Sequence, residues 1–324
     1  MEVRDPLRPI LDAQGIVILD GGLATTLEAR GLDTAGELWS ARALVEAPEL
    51  LARVHGDFVR AGADCIATAT YQATVPGLVR AGLREREALE LFARAVELAT
   101  RARDEAFEEV AASAPSVREA PRRRPLVAAS IGPFGAYLAD GSEYRGGDYR
   151  VGRRELIAFH RPRLRALVAA EPDLLAFETV PSAVEVNAVL ELLDQEQAAG
   201  GLPGAWISFQ CRDGVSIADG TPLAALIPAL DRHPAILAVG VNCVAPALVP
   251  ELLGSLAAHT AKPLAVYPNS GERWEHRGWR GEGVDWVDDA PSWVELGARL
   301  IGGCCRTGPE EIRRLRSRLL PAQR

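Results

Sequence analysis

Ile16-Val17-Ile18-Leu19-Asp20-Gly21-Gly22 is the stretch on which the fold turns. Four consecutive apolar residues, two of them Ile, suit a strand covered on both faces, and Asp-Gly-Gly then forces a turn. Two architectures begin this way. A doubly wound nucleotide-binding sheet would continue with G-x-G-x-x-G and an acidic residue about 20 positions on. Asp20-Gly21-Gly22 is not that fingerprint, and no acid stands in the usual place. A barrel strand needs neither. Working outward, short apolar runs recur at residues 65–69, 126–131, 173–177, 205–210, 236–241, 264–267 and 299–303. Helix-like stretches lie between them at 44–61, 85–112, 152–170, 182–197, 222–230, 246–259, 291–296 and 309–320, several with Pro or Ser near the first turn. Eight strands alternating with eight helices predict an α/β fold, a (β/α)8 TIM barrel, with residues 1–324 as a single domain.

Composition narrows the function. The charge balance is 36 − 44 = −8, and Lys262 is the sole lysine. An acidic chain without a basic stripe argues against nucleic acid or an anionic membrane as partner. Residues 1–12 mix charges with prolines and lack the apolar core of a secretory signal. The longest uncharged run, 234–250, is too short to span a bilayer and contains Asn242 and Pro246. Five cysteines, an odd number, fit a reducing cytoplasm better than a disulfide framework. Three long loops stand out. Residues 113–125 precede the third strand and are expected to be a solvated insertion on the face away from the site. Residues 132–150 and 268–290 follow strands, and the latter, with Trp274, Trp279 and Trp286, is expected to act as a lid.

In such a barrel the carboxyl ends of the strands build the site. Cys243 ends the sixth strand and Cys304-Cys305 the eighth, two strands apart around the barrel. Neighbouring strand residues point to opposite faces, so both Cys304 and Cys305 reach one metal only if the chain leaves the strand, for which Gly302-Gly303 gives freedom. Three thiolates with a vacant fourth position make a catalytic zinc site. Three unrelated cysteines remain the alternative on spacing alone. Cys211 is a possible fourth ligand, and Cys65, inside an apolar strand, reads as an inert thiol. Asp20-Gly21-Gly22 suits either a turn whose N–H groups face a carboxylate or an ordinary turn. Glu178 is either an acid facing the mouth, suited to an ammonium, or the partner of an arginine. Asp140, Glu143 and Asp148 form an acidic loop cluster, usually just solvated. His55, His160, His233, His259 and His276 pair with no serine or cysteine at a strand end, which speaks against a catalytic triad.

From Ile18-Leu19-Asp20-Gly21-Gly22 to Gly302-Gly303-Cys304-Cys305, nearly the whole chain resembles the homocysteine S-methyltransferase family. The specific part is Gly240-Val241-Asn242-Cys243 combined with the terminal cysteine pair. The loops starting Gly132-Pro133-Phe134-Gly135-Ala136-Tyr137, Ser216-Ile217-Ala218-Asp219-Gly220-Thr221-Pro222 and Tyr267-Pro268-Asn269-Ser270-Gly271-Glu272 are similar to the single-domain branch that uses S-methylmethionine. Cobalamin-dependent methionine synthase shares the barrel, but this chain has no room for its further modules. The resemblance implies Zn²⁺ held by Cys243, Cys304 and Cys305. It also implies amino-acid contacts from Asp20, the amides of Gly21 and Gly22, Thr70, Glu178 (for the homocysteine ammonium) and Asn242. The implied activity is zinc-dependent methyl transfer from a sulfonium donor, S-methylmethionine or else S-adenosylmethionine, to homocysteine, giving methionine. One departure is Gly147-Asp148-Tyr149, where Gly and Tyr are spaced differently within the donor region. Two other functions stay open on the residues themselves. One is a barrel with a structural zinc that binds an amino acid without catalysis; the other is a carboxylate hydrolase built on Glu178 and Asp20.

Overall fold

The structure is a computed structural model that describes residues 3–33, 39–113, 122–146, 149–275 and 278–321. Among the described residues ten strands follow in chain order: β1 (Val17–Ile18), β2 (Cys65–Ala67), β3 (Leu126–Ile131), β4 (Leu174–Val180), β5 (Ala205–Phe209), β6 (Ile236–Asn242), β7 (Leu264–Tyr267), β8 (Arg273–Glu275), β9 (Gly278–Arg280) and β10 (Ala298–Ile301). Eight pair in parallel in the order β1-β10-β7-β6-β5-β4-β3-β2. A parallel bridge from Leu19 to Cys65 and the Asp64 N–H donating to the Ile18 carbonyl at 2.6 Å close the circle between β1 and β2. The TIM barrel is therefore present, while β8 and β9 form a separate antiparallel hairpin.

Strand parity sorts the core into two shells. Outward-facing Val127, Leu175, Phe177, Ile207, Val239, Val241, Val266 and Ile301 pack under the helices. Inward-facing Ala128, Ala176, Trp206, Ala238, Ala265 and Leu300 fill the lumen, the single tryptophan offsetting several alanines. Inward positions nearer the carboxyl ends include Ser130, Glu178, Ser208, Tyr267 and, beyond Gly240, Asn242, so polar side chains lie on an apolar layer. Short strands covered on both faces read as uniformly apolar, and this hid Ser130, Ser208 and Tyr267 from sequence inspection, while Glu178 and Asn242 were legible.

The helices differ from expectation where proline intervenes. The stretch 44–61 divides into Ala43–Glu46 and Pro48–Ala61, because Pro48 lacks an N–H and starts a helix readily. Residues 246–259 begin as a 3-10 turn, Pro246–Leu248, before Val249–Ala257. The N-terminal segment, which reads as charged and proline-bearing, forms a helix at Arg8–Gln14 whose Leu7 and Ile10 are buried against the lumen core and plug the barrel floor. No described helix is long and apolar enough to cross a membrane.

Candidate metal centre and substrate cavity

β6 delivers Cys243 in the left-handed region, φ 52°, its N–H donating to the Tyr267 carbonyl at 3.1 Å. That conformation is uncommon for a residue with a side chain and is held here by its neighbours. β10 ends at Ile301. Gly303 then donates to the Asp20 carbonyl at 3.0 Å and Cys304 to the Pro268 carbonyl at 2.8 Å, so both cysteines sit in a turn outside the strand, as the sequence required. The reason for the glycines is corrected: neither Gly302 nor Gly303 has a positive φ. They are needed for close approach, since a Cβ on Gly303 would lie 2.1 Å from the Thr307 side chain and one on Gly302 2.6 Å from Leu19.

The sulfurs of Cys243, Cys304 and Cys305 all lie within 4.8 Å of one another. Zinc–sulfur bonds of about 2.3 Å in a tetrahedron place sulfurs roughly 3.8 Å apart, and Cys243 and Cys305 are 3.9 Å apart. Cys243 and Cys304 are joined as a disulfide, so both would be free to hold a metal only after two-electron reduction. The donor set fits zinc. Burial pushes the Cys305 thiol up to about 12, a cost that a cation at this position would relieve. Cys211 is not in the cluster; its sulfur faces the Phe209 carbonyl at 3.9 Å, and it supplies no fourth ligand. Cys65 is a buried lumen thiol with its pKa raised by burial, in keeping with an inert role.

Beneath the sulfurs lies a cavity of about 100 Å³ walled by Asp20, Tyr71, Tyr144, Glu178 and Trp206. β4 carries a register shift between Phe177 and Val180, with Thr179 left-handed at φ 60°, and this bulge ends the strand just after Glu178 turns inward. The Glu178 carboxylate accepts from the hydroxyls of Ser130 and Tyr267, and Trp206 Nε1 donates to Tyr267 at 3.0 Å. Hydrogen-bonding partners therefore come from hydroxyls, not an arginine, and burial raises its pKa. Asp20 accepts the Ala67 N–H at 2.8 Å; burial, with Glu178 close by, holds its pKa well above the carboxylate range. Two acids that share a buried space and resist ionising are poised for a cation.

The other expected contacts are placed differently. The Gly22 N–H is spent on the Thr307 carbonyl at 2.8 Å, and a Cβ there would meet the Cys304 carbonyl at 2.5 Å, so this glycine seats the first turn against the cysteines. Gly21 lines the cavity. Thr70 is fully buried, sharing a hydrogen bond with Thr68 at 2.6 Å and donating to the Ser130 carbonyl at 2.7 Å; Thr68 reaches the cavity wall instead. Asn242 lines the cavity too, but its Oδ1 accepts from the Thr179 N–H and the Ser208 hydroxyl and its Nδ2 donates to Thr179, each at 2.8 Å. It holds the bulge that aims Glu178. Sequence reading missed Ser130, Tyr267, Trp206, Tyr71 and Tyr144; the first three lie on strands other than those of Glu178 and Asn242, and only the sheet register brings them to the same lumen.

Among the loop features, Asp140 is exposed and accepts from the Ser142 N–H at 2.9 Å, whereas Glu143 is buried. Asp148 and Gly147, His276, and residues 114–121 of the expected insertion lie outside the described residues. No described histidine lines the cavity. Trp286 is no lid residue: it is buried and stacked on Trp293, ring centroids 5.4 Å apart. Trp274 and Trp279 pair through their backbones in the β8–β9 hairpin, their side chains lying outside what is described.

The family model for homocysteine S-methyltransferase matches residues 17–319. Homocysteine S-methyltransferase YbgG of Bacillus subtilis is 46% identical, the match covering 96% of each chain. The homocysteine S-methyltransferase of Escherichia coli is 46% identical over 98% of this chain and 100% of its own. The crystal structure of the E. coli homocysteine methyltransferase MmuM in its metallated form superposes with a TM-score of 0.85 at 46% identity, covering 97% of this chain and 100% of that one. The barrel, the converging cysteines and these likenesses agree, and the chain belongs to the homocysteine S-methyltransferase family of methyltransferase enzymes.

Proposed function

We propose that this chain transfers a methyl group from a sulfonium donor to homocysteine with the help of zinc. S-Methylmethionine is the preferred donor, S-adenosylmethionine the second, and methionine the product. The whole of residues 1–324 is assigned to one homocysteine-binding barrel acting in the cytoplasm. The observation that carries the reading is the meeting of three sulfurs from β6 and from the turn after β10 above a cavity holding two buried acids. Relatives named homocysteine S-methyltransferase, and a metallated neighbour, support it.

Cys243, Cys304 and Cys305, once reduced, would hold the ion; when bound with a fourth position open, zinc supplies acidification of an incoming thiol whose ordinary pKa is about 8.5. The rest falls to the chain. Glu178 and Asp20 take the substrate ammonium, whose positive charge lets both carboxylates ionise where burial otherwise opposes it. Ser130 and Tyr267 fix the Glu178 carboxylate so that the amino group, and with it the thiol-bearing chain, has one orientation. In the transfer step, the homocysteine sulfur forms the new S–CH₃ bond as the donor's S⁺–CH₃ bond breaks. The bond pair returns to the donor sulfur, which leaves as an uncharged thioether.

The test is a donor panel. Zinc-loaded protein with homocysteine is offered S-methylmethionine, S-adenosylmethionine, betaine or methyl-folate, and methionine is quantified. The expected result is fastest formation from S-methylmethionine. Full turnover by metal-free protein, or no methionine from any donor, rejects the proposal.

A further inference from the structure

The inward shell of the barrel around β5 is built from small side chains with one exception. Trp206 stands in the sheet between Ala176 on β4 and Ala238 on β6, both fully buried, and its indole fills the lumen space that these alanines leave. It also forms part of the cavity wall, together with Asp20, Glu178 and the three clustered cysteines. The cysteines lie towards the mouth and the indole towards the floor. Cys243 follows β6, beyond Ala238 and Gly240, whereas Trp206 enters one inward position below Ser208.

The indole is held in place. Its Nε1–H, which can only donate, goes to the Tyr267 hydroxyl at 3.0 Å, and that hydroxyl is tied to Ser208 at 2.5 Å. Ser208 in turn donates to Asn242 Oδ1 at 2.8 Å. A ring packed on its sides by the strands and anchored at its polar edge cannot tilt aside for a larger ligand.

Resting on the reading of the cavity as the homocysteine site, we infer that Trp206 is a specificity-determining residue, the floor that sets the length of the thiol acceptor. The sulfurs fix one end of the acceptor, and Asp20 and Glu178 fix the other. A rigid surface beneath leaves room for one chain length between them. Cysteine, one methylene shorter, falls short of one end. The five-carbon homologue, 2-amino-5-sulfanylpentanoic acid, fits only where its extra methylene finds space, and the indole occupies that space. A pocket of this kind separates ligands differing by one methylene by about 10–200-fold.

Zinc-loaded wild-type and Trp206→Phe proteins are compared for kcat/KM with cysteine, homocysteine and the five-carbon thiol at saturating S-methylmethionine. The methyl thioether of each thiol and the zinc-to-protein ratio are measured. Wild type is expected to favour homocysteine over the five-carbon thiol by about tenfold or more. Phenylalanine removes more than a methylene's volume from the floor, so in Trp206→Phe that preference falls about tenfold through a rise in kcat/KM for the longer thiol. Cysteine stays as poor as in wild type, and the zinc ratio is unchanged. A gain on one acceptor is not what the loss of a merely structural side chain produces. Equal loss on homocysteine and the longer thiol overturns the inference by making Trp206 a packing residue, and an unchanged preference overturns it outright. If the Phe variant does not fold, Trp206→Leu takes its place with the same expectations, and wild type also decides: a preference below about twofold overturns the inference. A wild type that methylates homocysteine but fails these comparisons loses only this inference; one that makes no methionine with any donor loses the underlying reading as well.

Discussion

The two ends of the barrel treat buried charge in opposite ways. On the floor, Asp64 stands before β2 with every oxygen engaged. Oδ1 meets Arg316 at 2.9 Å and Arg122 at 3.4 Å, while Oδ2 accepts from Gln14 at 2.6 Å and from the Ile18 N–H at 3.1 Å. Before β4, Asp173 likewise joins Arg103 at 3.0 Å to the Val127 N–H at 2.8 Å. At the mouth, Asp20, Glu178 and Glu143 are buried without a cation, and Thr179, Cys243 and Arg306 sit in left-handed conformations. The difference teaches where function sits. Left-handed backbone alone does not separate the ends, since Glu171 before β4 has φ 56°; a saturated ion cluster fixes chain ends in place, whereas open valences are sustained by the surrounding fold and become useful when a ligand arrives.

The sharpest way to break this contrast is Cys243→Ser. At the mouth it removes one of three thiolates, so zinc content collapses and methionine formation falls about a thousandfold or more. Far-UV circular dichroism and the melting transition of the metal-free protein should stay close to wild type; loss of folding would show that the mouth carries structural weight after all. Asp64→Ala is the counterpart on the floor. It strands Arg122 and Arg316 in mostly buried positions and should lower unfolding free energy by about 3 kcal/mol in denaturant titration. At permissive temperature, the homocysteine KM of the surviving folded protein is expected to be unchanged. A KM that rises with the loss of stability would mean the two ends are coupled.

The smallest effect concerns a group belonging to neither end. His55, on helix Pro48–Ala61, is fully buried with neither ring nitrogen partnered, and burial lowers its pKa from 6.5 to about 4. A base depressed in the folded state contributes stability that is complete above pH 6.5 and is lost as pH falls to about 4. The loss reaches at most about 3 kcal/mol. His55→Leu should flatten that part of the stability–pH curve in urea titrations at several pH values. An unaltered slope would assign the acid sensitivity to other groups.

Much of this was legible in the chain. Each barrel strand falls on an apolar run, with β3 and β7 matching to the residue, because parallel strands buried on both faces must be apolar throughout. The cysteine trio was legible because strand ends build the mouth of a barrel and the chain order puts β6 and β10 two apart, with only β7 between them. What escaped is whatever depends on closure. Ser130, Ser208 and Tyr267 look like interruptions of apolar runs until lumen parity is known. Thr68 and Thr70 are equivalent in sequence, yet one reaches the cavity wall and the other is sealed behind it. Leu7 and Ile10 look like isolated apolar residues in a charged segment until the barrel presents a floor to plug.

Local periodicity and residue chemistry thus determined the β/α alternation and the three sulfurs, since both follow from neighbours along the chain. The tertiary structure decided which acids are left without partners. Glu143 reads as one solvated charge among three in a loop, and its burial exists only once segments far apart in sequence pack together and exclude water.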